Sequence, residues 1–207
     1  DPAFFDMLIV PYHDRVRGDN VIVTKAALNQ INQSRIAASA NNIPQQWQAA
    51  ASPRVAVMLG GDNRRYKISH DMATHMAQQL AAFAAANNAN LFLVASQRCP
   101  DTVLKYLQTA LPPDHCTIAT SEHPNPYPSI LTMADAVIVT SDSVNMVSEA
   151  ASTGKPVLIA YWRKEIGRIA KFHQIMHDDN HTAPLTQLLP AGPFVPLDES
   201  DTIRQQI

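Results

Sequence analysis

Residues 134–160 read ADAVIVTSDSVNMVSEAASTGKPVLIA, and this stretch decides the fold. The run at 136–139 is short, β-branched and bounded by polar residues, which is typical of a buried parallel strand. A second apolar run, at 157–160, predicts the next strand. Between the two, apolar side chains recur at helical spacing and give a helix one apolar face: Val144, Val147 and Ala151. Because Gly154 and Pro156 end that helix, the stretch predicts a strand–helix–strand unit.

The turn at 140–143 consists of four small polar residues, Thr-Ser-Asp-Ser, at the predicted start of the helix. In doubly wound proteins, a helix that begins at the carboxyl end of a parallel strand offers its backbone N–H groups to anionic ligands. The hydroxyls of Ser141 and Ser143 would join those groups at a phosphate, provided that the Asp142 side chain turns away. The same residues are good N-caps, which stabilise a helix by about 1 kcal/mol without any ligand. Both interpretations stay open from these residues alone.

Strands and helices alternate along the chain from residue 54 onward. We predict strands at 55–59, 91–95 and 117–119 and helices at 71–87, 101–110 and 127–133. The first of these helices is expected to face the core with five side chains: Met72, His75, Met76, Leu80 and Phe83. Strands separated by helical patterns favour a parallel sheet. The predicted fold class is therefore α/β, with a Rossmann-like parallel sheet.

The beginning of the chain differs from the rest. The elements predicted there are strands at 4–10 and 21–24 and an amphipathic helix at 24–40. Residues 40–53 are rich in Ala, Gln and Asn, which favours a linker. We therefore predict a remnant of an N-terminal domain at 1–52 and a Rossmann-like domain at 53–207. Both ends look cut, because the first strand has no upstream partner and the last helix is short, so we expect a fragment.

Composition argues against several classes of protein. The 207 residues are 46% hydrophobic and 16% charged with a net charge of −2, which supplies a core but no basic block for nucleic acid or an anionic membrane. Uninterrupted apolar runs fall short of the roughly 20 residues that a membrane-spanning helix needs. Cys99 and Cys116 lack metal-type spacing, and their scarcity favours a reduced, cytoplasmic location.

The loop at 60–67, GGDNRRYK, combines two glycines with three cations: Gly60, Gly61, Arg64, Arg65 and Lys67. Glycines directly after a strand permit close approach of a ligand to the backbone, and Arg or Lys stabilises a phosphate leaving group without a metal. A solvated surface loop is the alternative interpretation. The loop matches neither a P-loop nor the dinucleotide fingerprint.

Histidines at two places in the sequence are candidates for catalysis or metal binding. His13 and Asp14 follow a predicted strand, so the imidazole is a candidate general base facing a cleft, although an ordinary turn explains the same residues. Arg15 and Arg17 beside them are candidates for an acceptor or a phosphate. A second group recurs every four residues, the spacing of a zinc site on a helix: His173, His177 and His181. Because Asn180 suggests that the helix ends before His181, we predict no metal site.

Three segments together resemble a known family. The first is the turn and helix at 140–150 with Glu149, followed by the Gly-Lys-Pro-Val run at 154–157. The others are Val-Pro-Tyr-His-Asp at 10–14 with the run at 20–24, and the strand that ends in Gly60 and Gly61. These segments resemble the elongated-mitochondria family of mitochondrial-fission proteins, which is widespread in bacteria. The pattern is also similar to the nucleotide-sugar half of GT-B glycosyltransferases and sugar-nucleotide 2-epimerases.

The resemblance implies a GT-B-type Rossmann-like domain that binds a nucleoside-diphosphate sugar as donor substrate, with no resident cofactor, no metal, no nucleic acid and no integral membrane segment. Ser141 and Ser143 would hold the diphosphate, and Glu149, about 9 Å along the helix from the turn, would bind the ribose. The three cations of the 60–67 loop would neutralise the leaving group, and His13 or Asp14 would act from the opposite lip. Glycosyl transfer is the expected reaction. Epimerisation, and a non-enzymatic scaffold with a vestigial site, are the alternatives.

Overall fold

The computed structural model describes residues 1–29, 31, 38, 43, 45–119, 127–191, 194–199, 203–205 and 207. Its strands form two parallel sheets. The smaller sheet pairs β1 (Leu8–Pro11) with β2 (Val21–Thr24). The larger sheet has six strands: β3 (Arg54–Leu59), β4 (Asn90–Ala95), β5 (Cys116–Ile118), β6 (Ala136–Thr140), β7 (Val157–Ala160) and β8 (Ala183–Pro184).

The larger sheet is parallel throughout, and its strand order is β5-β4-β3-β6-β7-β8. Counted from its own first strand, this is the 3-2-1-4-5-6 order of doubly wound dinucleotide-binding folds. The chain builds outward from β3 to one edge and then returns to start β6 on the other side of β3. The carboxyl ends of β3 and β6 therefore flank a crevice from which the connections depart in opposite directions. The predicted parallel α/β sheet is confirmed.

Six helices lie in the described part of the chain: α1 (Gln45–Gln48), α2 (His70–Asn87), α3 (Asp101–Ala110), α4 (Tyr127–Met133), α5 (Val144–Ala151) and α6 (Gly167–Asp178). Local chemistry sets several of their ends. The Ser69 hydroxyl accepts the Met72 N–H at the start of α2, and Asn88 adopts the left-handed conformation that ends it. Lys155, from the Gly-Lys-Pro run, donates from Nζ to the carbonyls of Leu131 at 2.6 Å and Thr132 at 2.8 Å, which caps the end of α4.

Each face of the larger sheet is covered by its own layer of helices. Alternate residues of β3 point to opposite faces, so Val57 joins the core under α2 and α3 whereas Met58 joins the core under α4, α5 and α6. The first core contains Leu80, Phe83 and Leu107, all fully buried. The architecture is thus a helix–sheet–helix sandwich, and the strand ends lie at its edge.

Three predictions about elements need correction. The first strand begins at Leu8 and not at residue 4, because Pro2–Phe4 forms a 3-10 turn that leaves Phe4 84% exposed. His75 is exposed, because the inward face of α2 follows Ala73, Met76 and Leu80 at spacings of three and four. The helix predicted at 24–40 is absent at its start, where the chain after Thr24 is irregular to residue 29; most of its remainder lies outside the described residues.

The N-terminal segment, residues 1–29, packs against α5, α6 and the C-terminal segment. The Ala26 N–H donates to Glu199 Oε1 at 3.0 Å, and the Ala27 N–H donates to the Ser148 hydroxyl at 3.2 Å. Lys25 pairs with Asp179 at the end of α6, 2.8 Å away. These contacts hold the segment after β2 beside α5 and the end of α6.

Candidate functional site

The floor of the crevice between β3 and β6 is built from the residues that follow each strand. The Gly60 N–H donates to the Thr140 hydroxyl at 2.7 Å, and the Gly61 N–H donates to Asp142 Oδ2 at 3.0 Å. Thr140 in turn donates to Asp142 Oδ1 at 2.8 Å, and Arg98 Nη2 lies 3.4 Å from Oδ2. The Asp142 side chain is fully buried. It has turned inward, as a phosphate site in this turn requires.

The two glycines are required by space. A Cβ on Gly60 would lie 2.1 Å from Asp142 Oδ2, and a Cβ on Gly61 would lie 2.0 Å from the backbone oxygen of Arg98. Neither glycine has a positive φ among the described residues. The glycine pair was predicted to let a ligand approach the backbone closely; the groups that approach it closely in this structure are the protein's own Asp142 and Arg98.

A buried polar network joins the Gly60–Lys67 loop to the turn after β6. Arg65 forms an ion pair with Glu165, which follows β7. The other oxygen of Glu165, Oε1, accepts hydrogen bonds from the Ser141 hydroxyl at 3.0 Å and from Tyr66 at 3.3 Å. Ser141 is fully buried. The network thus places Arg65 and Ser141, which the sequence analysis selected separately, on one carboxylate.

His173 of α6 extends this network. Its Nε2 lies 2.8 Å from the Ser141 carbonyl oxygen, and the side chain is only 4% exposed. Burial lowers the pKa of His173 below its usual value of 6.5. The neutral ring therefore donates from Nε2, and Nδ1 is a buried acceptor with no hydrogen-bond partner among the described residues.

A pocket of about 460 Å³ opens next to the network. It lies at the carboxyl ends of β7 and β8, under one face of α6. Its polar walls include Glu165, His173 and Lys164, and Ile159 and Tyr161 are among its apolar contributors. We call it the donor pocket. It combines an apolar floor with a few convergent polar groups, which is the usual character of a small-molecule site.

The two remaining predicted ligands on α5 are also placed. The Ser143 hydroxyl caps the helix by accepting the Met146 N–H at 3.5 Å, and the first amides of α5 have no intrahelical partner. Glu149 is half-buried and accepts a hydrogen bond from the Tyr127 hydroxyl through Oε2. The neighbouring carboxylate and burial together raise the pKa of Tyr127.

The other cations of the loop lie outward. Arg64 is exposed, and Lys67 is 78% exposed and pairs with Asp62 at 3.1 Å. The backbone N–H of Ile68 and the Lys67 ammonium lower the pKa of Asp62. Of the three cations predicted to meet a phosphate, Arg65 pairs with the buried Glu165 while its own side chain is 34% exposed, and Arg64 and Lys67 lie at the surface of the same loop.

His13 and Asp14 lie elsewhere, in a 3-10 turn after β1 that packs on α6. His13 is 8% exposed and stacks edge-on against Phe172, with ring centroids 5.5 Å apart. Burial lowers its pKa, so the imidazole is neutral near pH 7. Asp14 pairs with Arg168 at 3.2 Å. His13 and Arg168 line a second pocket, which shares no residue with the donor pocket.

Sequence reasoning missed three residues of the site: Glu165, Arg98 and Tyr127. Each is tied to the site by a contact across a long sequence separation, such as the 100 residues between Arg65 and Glu165. A lone carboxylate after a strand, in residues 161–166, was the available signal for Glu165.

Within the described residues, no group of three or more His, Cys, Asp or Glu side chains is arranged to hold a metal ion. Helix α6 ends at Asp178, which confirms that His181 lies beyond it; His181 Nδ1 lies 2.7 Å from the Val195 carbonyl oxygen. No helix in this part of the chain has the length and apolar character to cross a bilayer.

Two relatives support the resemblance to the mitochondrial-fission family. The Mitochondrial fission protein ELM1 of Arabidopsis thaliana is 27% identical over 198 residues, covering 84% of this chain and 46% of that protein. The Uncharacterized protein RP120 of Rickettsia prowazekii (strain Madrid E) is 27% identical over 190 residues, covering 76% of this chain and 54% of that protein. The chain therefore spans about half the length of the curated relatives it matches.

Among solved structures, a dodecameric FMN-dependent Ubix-like decarboxylase from Escherichia coli O157:H7 aligns with a TM-score of 0.40 and 12% identity. The alignment covers 74% of this chain and 89% of that one. This likeness is too weak to bear on function. The family model described as Mitochondrial fission ELM1, in contrast, matches residues 1–207. The chain therefore belongs to the Mitochondrial fission ELM1 family.

Proposed function

We propose that this chain is the nucleotide-sugar-binding domain of a GT-B-like protein and binds a nucleoside-diphosphate sugar at the crevice between β3 and β6. The observation that carries the proposal is the strand order. In open α/β sheets, ligands bind outside the carboxyl ends of the strands where that order reverses. Here the reversal brings the glycine loop, the start of α5 and the donor pocket to one edge of the sheet.

The diphosphate is assigned to the start of α5. The helix end carries about half a positive charge and offers free amides, and Ser143 and Ser141 lie in the same turn. Arg65 supplies the adjacent guanidinium, with Arg64 and Lys67 on the same loop for the outer phosphate oxygens. A diphosphate that competes for Arg65 would weaken its pair with Glu165.

The sugar and the ribose are assigned to the carboxylates. The Glu165 carboxylate lies in the wall of the donor pocket and accepts hydrogen bonds from the Ser141 and Tyr66 hydroxyls. The hydroxyls of a sugar are donors of the same kind. Glu149 is assigned to the ribose, with Tyr127 orienting its carboxylate. In glycosyl transfer, the acceptor hydroxyl attacks the anomeric carbon while the nucleoside diphosphate leaves. His13 and the adjacent Asp14 lie across α6 from the donor pocket, so we do not assign the acceptor proton to them.

The first test is a thermal-shift titration of the purified chain with UDP, GDP, ADP and CMP and with their sugar conjugates. A ligand that binds the folded state raises the melting temperature according to its concentration and affinity. We expect one nucleotide family to give a rise, and Glu149→Gln to reduce it while keeping an acceptor for Tyr127. The Asp114→Asn variant, which neutralises an exposed carboxylate outside the site, serves as the matched control.

Charge at the phosphate end is tested separately. Arg65→Gln should weaken binding of the diphosphate, whereas Lys105→Gln, which removes a cation from the exposed surface of α3, should not. If every nucleotide leaves the melting temperature of a cooperatively unfolding sample unchanged, the donor site is refuted. Where binding occurs, chromatography of the products distinguishes transfer or hydrolysis from epimerisation of the sugar.

A non-enzymatic scaffold is the second candidate, and one observation favours it. The hydrogen-bond donors at the floor of the crevice already have partners within the protein: the glycine amides donate to Thr140 and Asp142, and the Ser141 hydroxyl donates to Glu165. A site that has lost its ligand would be expected to show such internal pairing. Under this alternative, the chain gives no nucleotide response, and the Arg65→Gln and Glu149→Gln variants retain full biological effect in the intact protein.

A further inference from the structure

The second pocket, about 230 Å³ in volume, lies between the loop after β1 and α6. We call it the basic pocket. Six residues line it: Tyr12, His13, Arg15, Arg17, Arg168 and Lys171. Arg168 and Lys171 are three residues apart on α6, whereas His173 and Gln174, which line the donor pocket, lie on the opposite face of that helix. Helix α6 therefore forms a wall between the two pockets.

The basic pocket has a strong excess of positive charge. Four of its six lining side chains are cations, and among the described residues the one carboxylate paired with them is Asp14, 3.2 Å from Arg168 Nη1. Elsewhere the described cations commonly have acidic partners, as in the pairs Lys25–Asp179 and Arg54–Asp135. Cations gathered at one concave surface repel one another unless an anion joins them.

Two of the cations are held in place by one aromatic ring. Arg17 lies over Tyr12 with its guanidinium carbon 5.0 Å from the ring centroid, and Lys171 Nζ lies 4.6 Å from the same centroid. Arg17 also donates to the Tyr12 carbonyl oxygen at 3.1 Å. These contacts fix long, flexible side chains in advance, which reduces the entropy that a ligand would have to remove.

Arg15 adopts a costly backbone conformation at the pocket. Its φ is 57°, in the left-handed region, which costs a residue with a side chain roughly 1 kcal/mol or more. The side chain is exposed and forms no ion pair or hydrogen bond with the described residues. The turn thus holds an unpaired guanidinium at the rim.

His13 provides an independent indication of a ligand. The side chain is 8% exposed, it lines the basic pocket, and its Nδ1 has no hydrogen-bond partner among the described residues. Its Nε2 is 3.8 Å from Asp14 Oδ1, too far for a hydrogen bond. A buried ring nitrogen without a partner is costly. Because Nδ1 is closed to solvent, the ring must shift toward the pocket before this nitrogen can donate to an oxygen of a bound anion.

We propose that the basic pocket binds the phosphate group of a phosphate monoester. Two or three arginine forks match the several oxygens of a phosphate better than they match one carboxylate, and a dianion balances most of the charge excess. The small volume suits a single phosphate rather than a nucleoside diphosphate. The proposal does not depend on the donor pocket, because the two pockets share no lining residue.

The test is isothermal titration calorimetry with inorganic phosphate at pH 7.5, against chloride at matched ionic strength so that screening is constant. We expect phosphate to bind and chloride to give no heat. Arg15→Gly and Arg168→Gln should each weaken binding about tenfold, the usual effect of losing one charge-assisted hydrogen bond. Because glycine accepts a positive φ without strain, Arg15→Gly should unfold at the same temperature as the parent or higher.

Two further variants keep the test decisive. Asp14→Asn removes the carboxylate that competes for Arg168 and should therefore strengthen phosphate binding. Asp114→Asn removes the same charge from an exposed position outside the basic pocket and should not, whereas equal strengthening by both variants would indicate non-specific attraction. Lys105→Gln on α3 and Arg65→Gln at the crevice should leave phosphate binding unchanged. Loss of nucleotide binding in Arg65→Gln with intact phosphate binding would separate the two sites.

The source of the phosphate is addressed with two probes. Glycerol 3-phosphate competing with inorganic phosphate would identify a small soluble monoester. Binding to phosphatidylcholine vesicles that contain phosphatidic acid, lost in Arg15→Gly, without competition by glycerol 3-phosphate, would identify a lipid headgroup. Absence of heat with inorganic phosphate and no binding to either probe, or equal affinity in the parent and in Arg15→Gly, would overturn the proposal.

Discussion

Asp142 occupies the space that a side chain on Gly60 would need, so the two positions are energetically coupled. Its carboxylate takes the Gly61 amide and the Thr140 hydroxyl, and a Cβ on Gly60 would overlap it. This explains in contact terms why glycine follows β3, without any need for unusual backbone angles. Asp142 and the glycines that make room for it lie about 80 positions apart in sequence.

We predict that Gly60→Ala lowers the free energy of unfolding by about 1–3 kcal/mol, the usual cost of overpacking. In an Asp142→Ala background the same substitution should cost far less, because the overlapping carboxylate is gone. Urea denaturation of the two single variants and the double variant measures the coupling. Gly61→Ala is the control, since its Cβ meets the Arg98 backbone and Asp142→Ala should not relieve it. Additive costs at Gly60 would contradict the explanation.

At the scale of elements, Ser143 has two candidate roles that a substitution can separate. It caps α5 through the Met146 N–H, and we propose that it also binds a diphosphate. Ser143→Ala should cost about 1 kcal/mol of stability, whereas Ser143→Asp keeps a capping oxygen and should preserve stability.

The negative charge of Ser143→Asp should nevertheless abolish nucleotide binding by repelling the phosphates. Thermal unfolding with and without the nucleotide that gives a rise in the proposed thermal-shift titration measures both effects. If Ser143→Asp binds nucleotide as well as the parent does, Ser143 is a cap and nothing more.

Element bounds were predictable wherever the apolar period was regular. The strand at 157–160 and the helices at 101–110 and 127–133 fall where the sequence places them. The bounds of α6 were not predicted, because this helix begins at Gly167 and is largely polar. Strand β8 was not predicted either, because two residues are too few to give a pattern. The apolar run at 4–10 led to a wrong start for the first strand, because β-propensity does not show which side chains are exposed. Phe4 and Phe5 are both exposed in the structure.

At the scale of the whole molecule, stability should depend on pH through two buried histidines. Burial lowers the pKa of His13 and of His173 in the folded protein. Below about pH 6.5 the unfolded chain binds protons that the folded chain does not, so the free energy of unfolding falls as the pH falls through this range. The lowered pKa values of Asp62 and Asp135 act in the same direction only at more acidic pH.

We therefore predict a fall in melting temperature between pH 7.5 and pH 5.5, measured at constant ionic strength. His173→Gln keeps an N–H donor for the Ser141 carbonyl oxygen but does not titrate, so its melting temperature should fall less over the same range. A parallel fall in the parent and the variant would show that His173 does not contribute.

The assembly of the site was less predictable than its parts. The turn at 140–143 and the glycine pair were visible as local motifs, and the sheet class followed from the alternation of elements. Strand order was not available from the sequence, because it depends on which strands pair across the chain. For the same reason, Glu165 could not be linked to Arg65 and Ser141 before the fold was known.

Helix α6 presents Arg168 and Lys171 to one pocket and His173 and Gln174 to another. Because α6 separates the two pockets, a shift of this helix that widens one pocket narrows the other. A ligand that shifts α6 therefore changes the affinity of the other pocket for its own ligand, and by thermodynamic linkage the second ligand changes the affinity for the first by the same factor. Two chemically unrelated ligands would then be coupled through the movement of one twelve-residue helix.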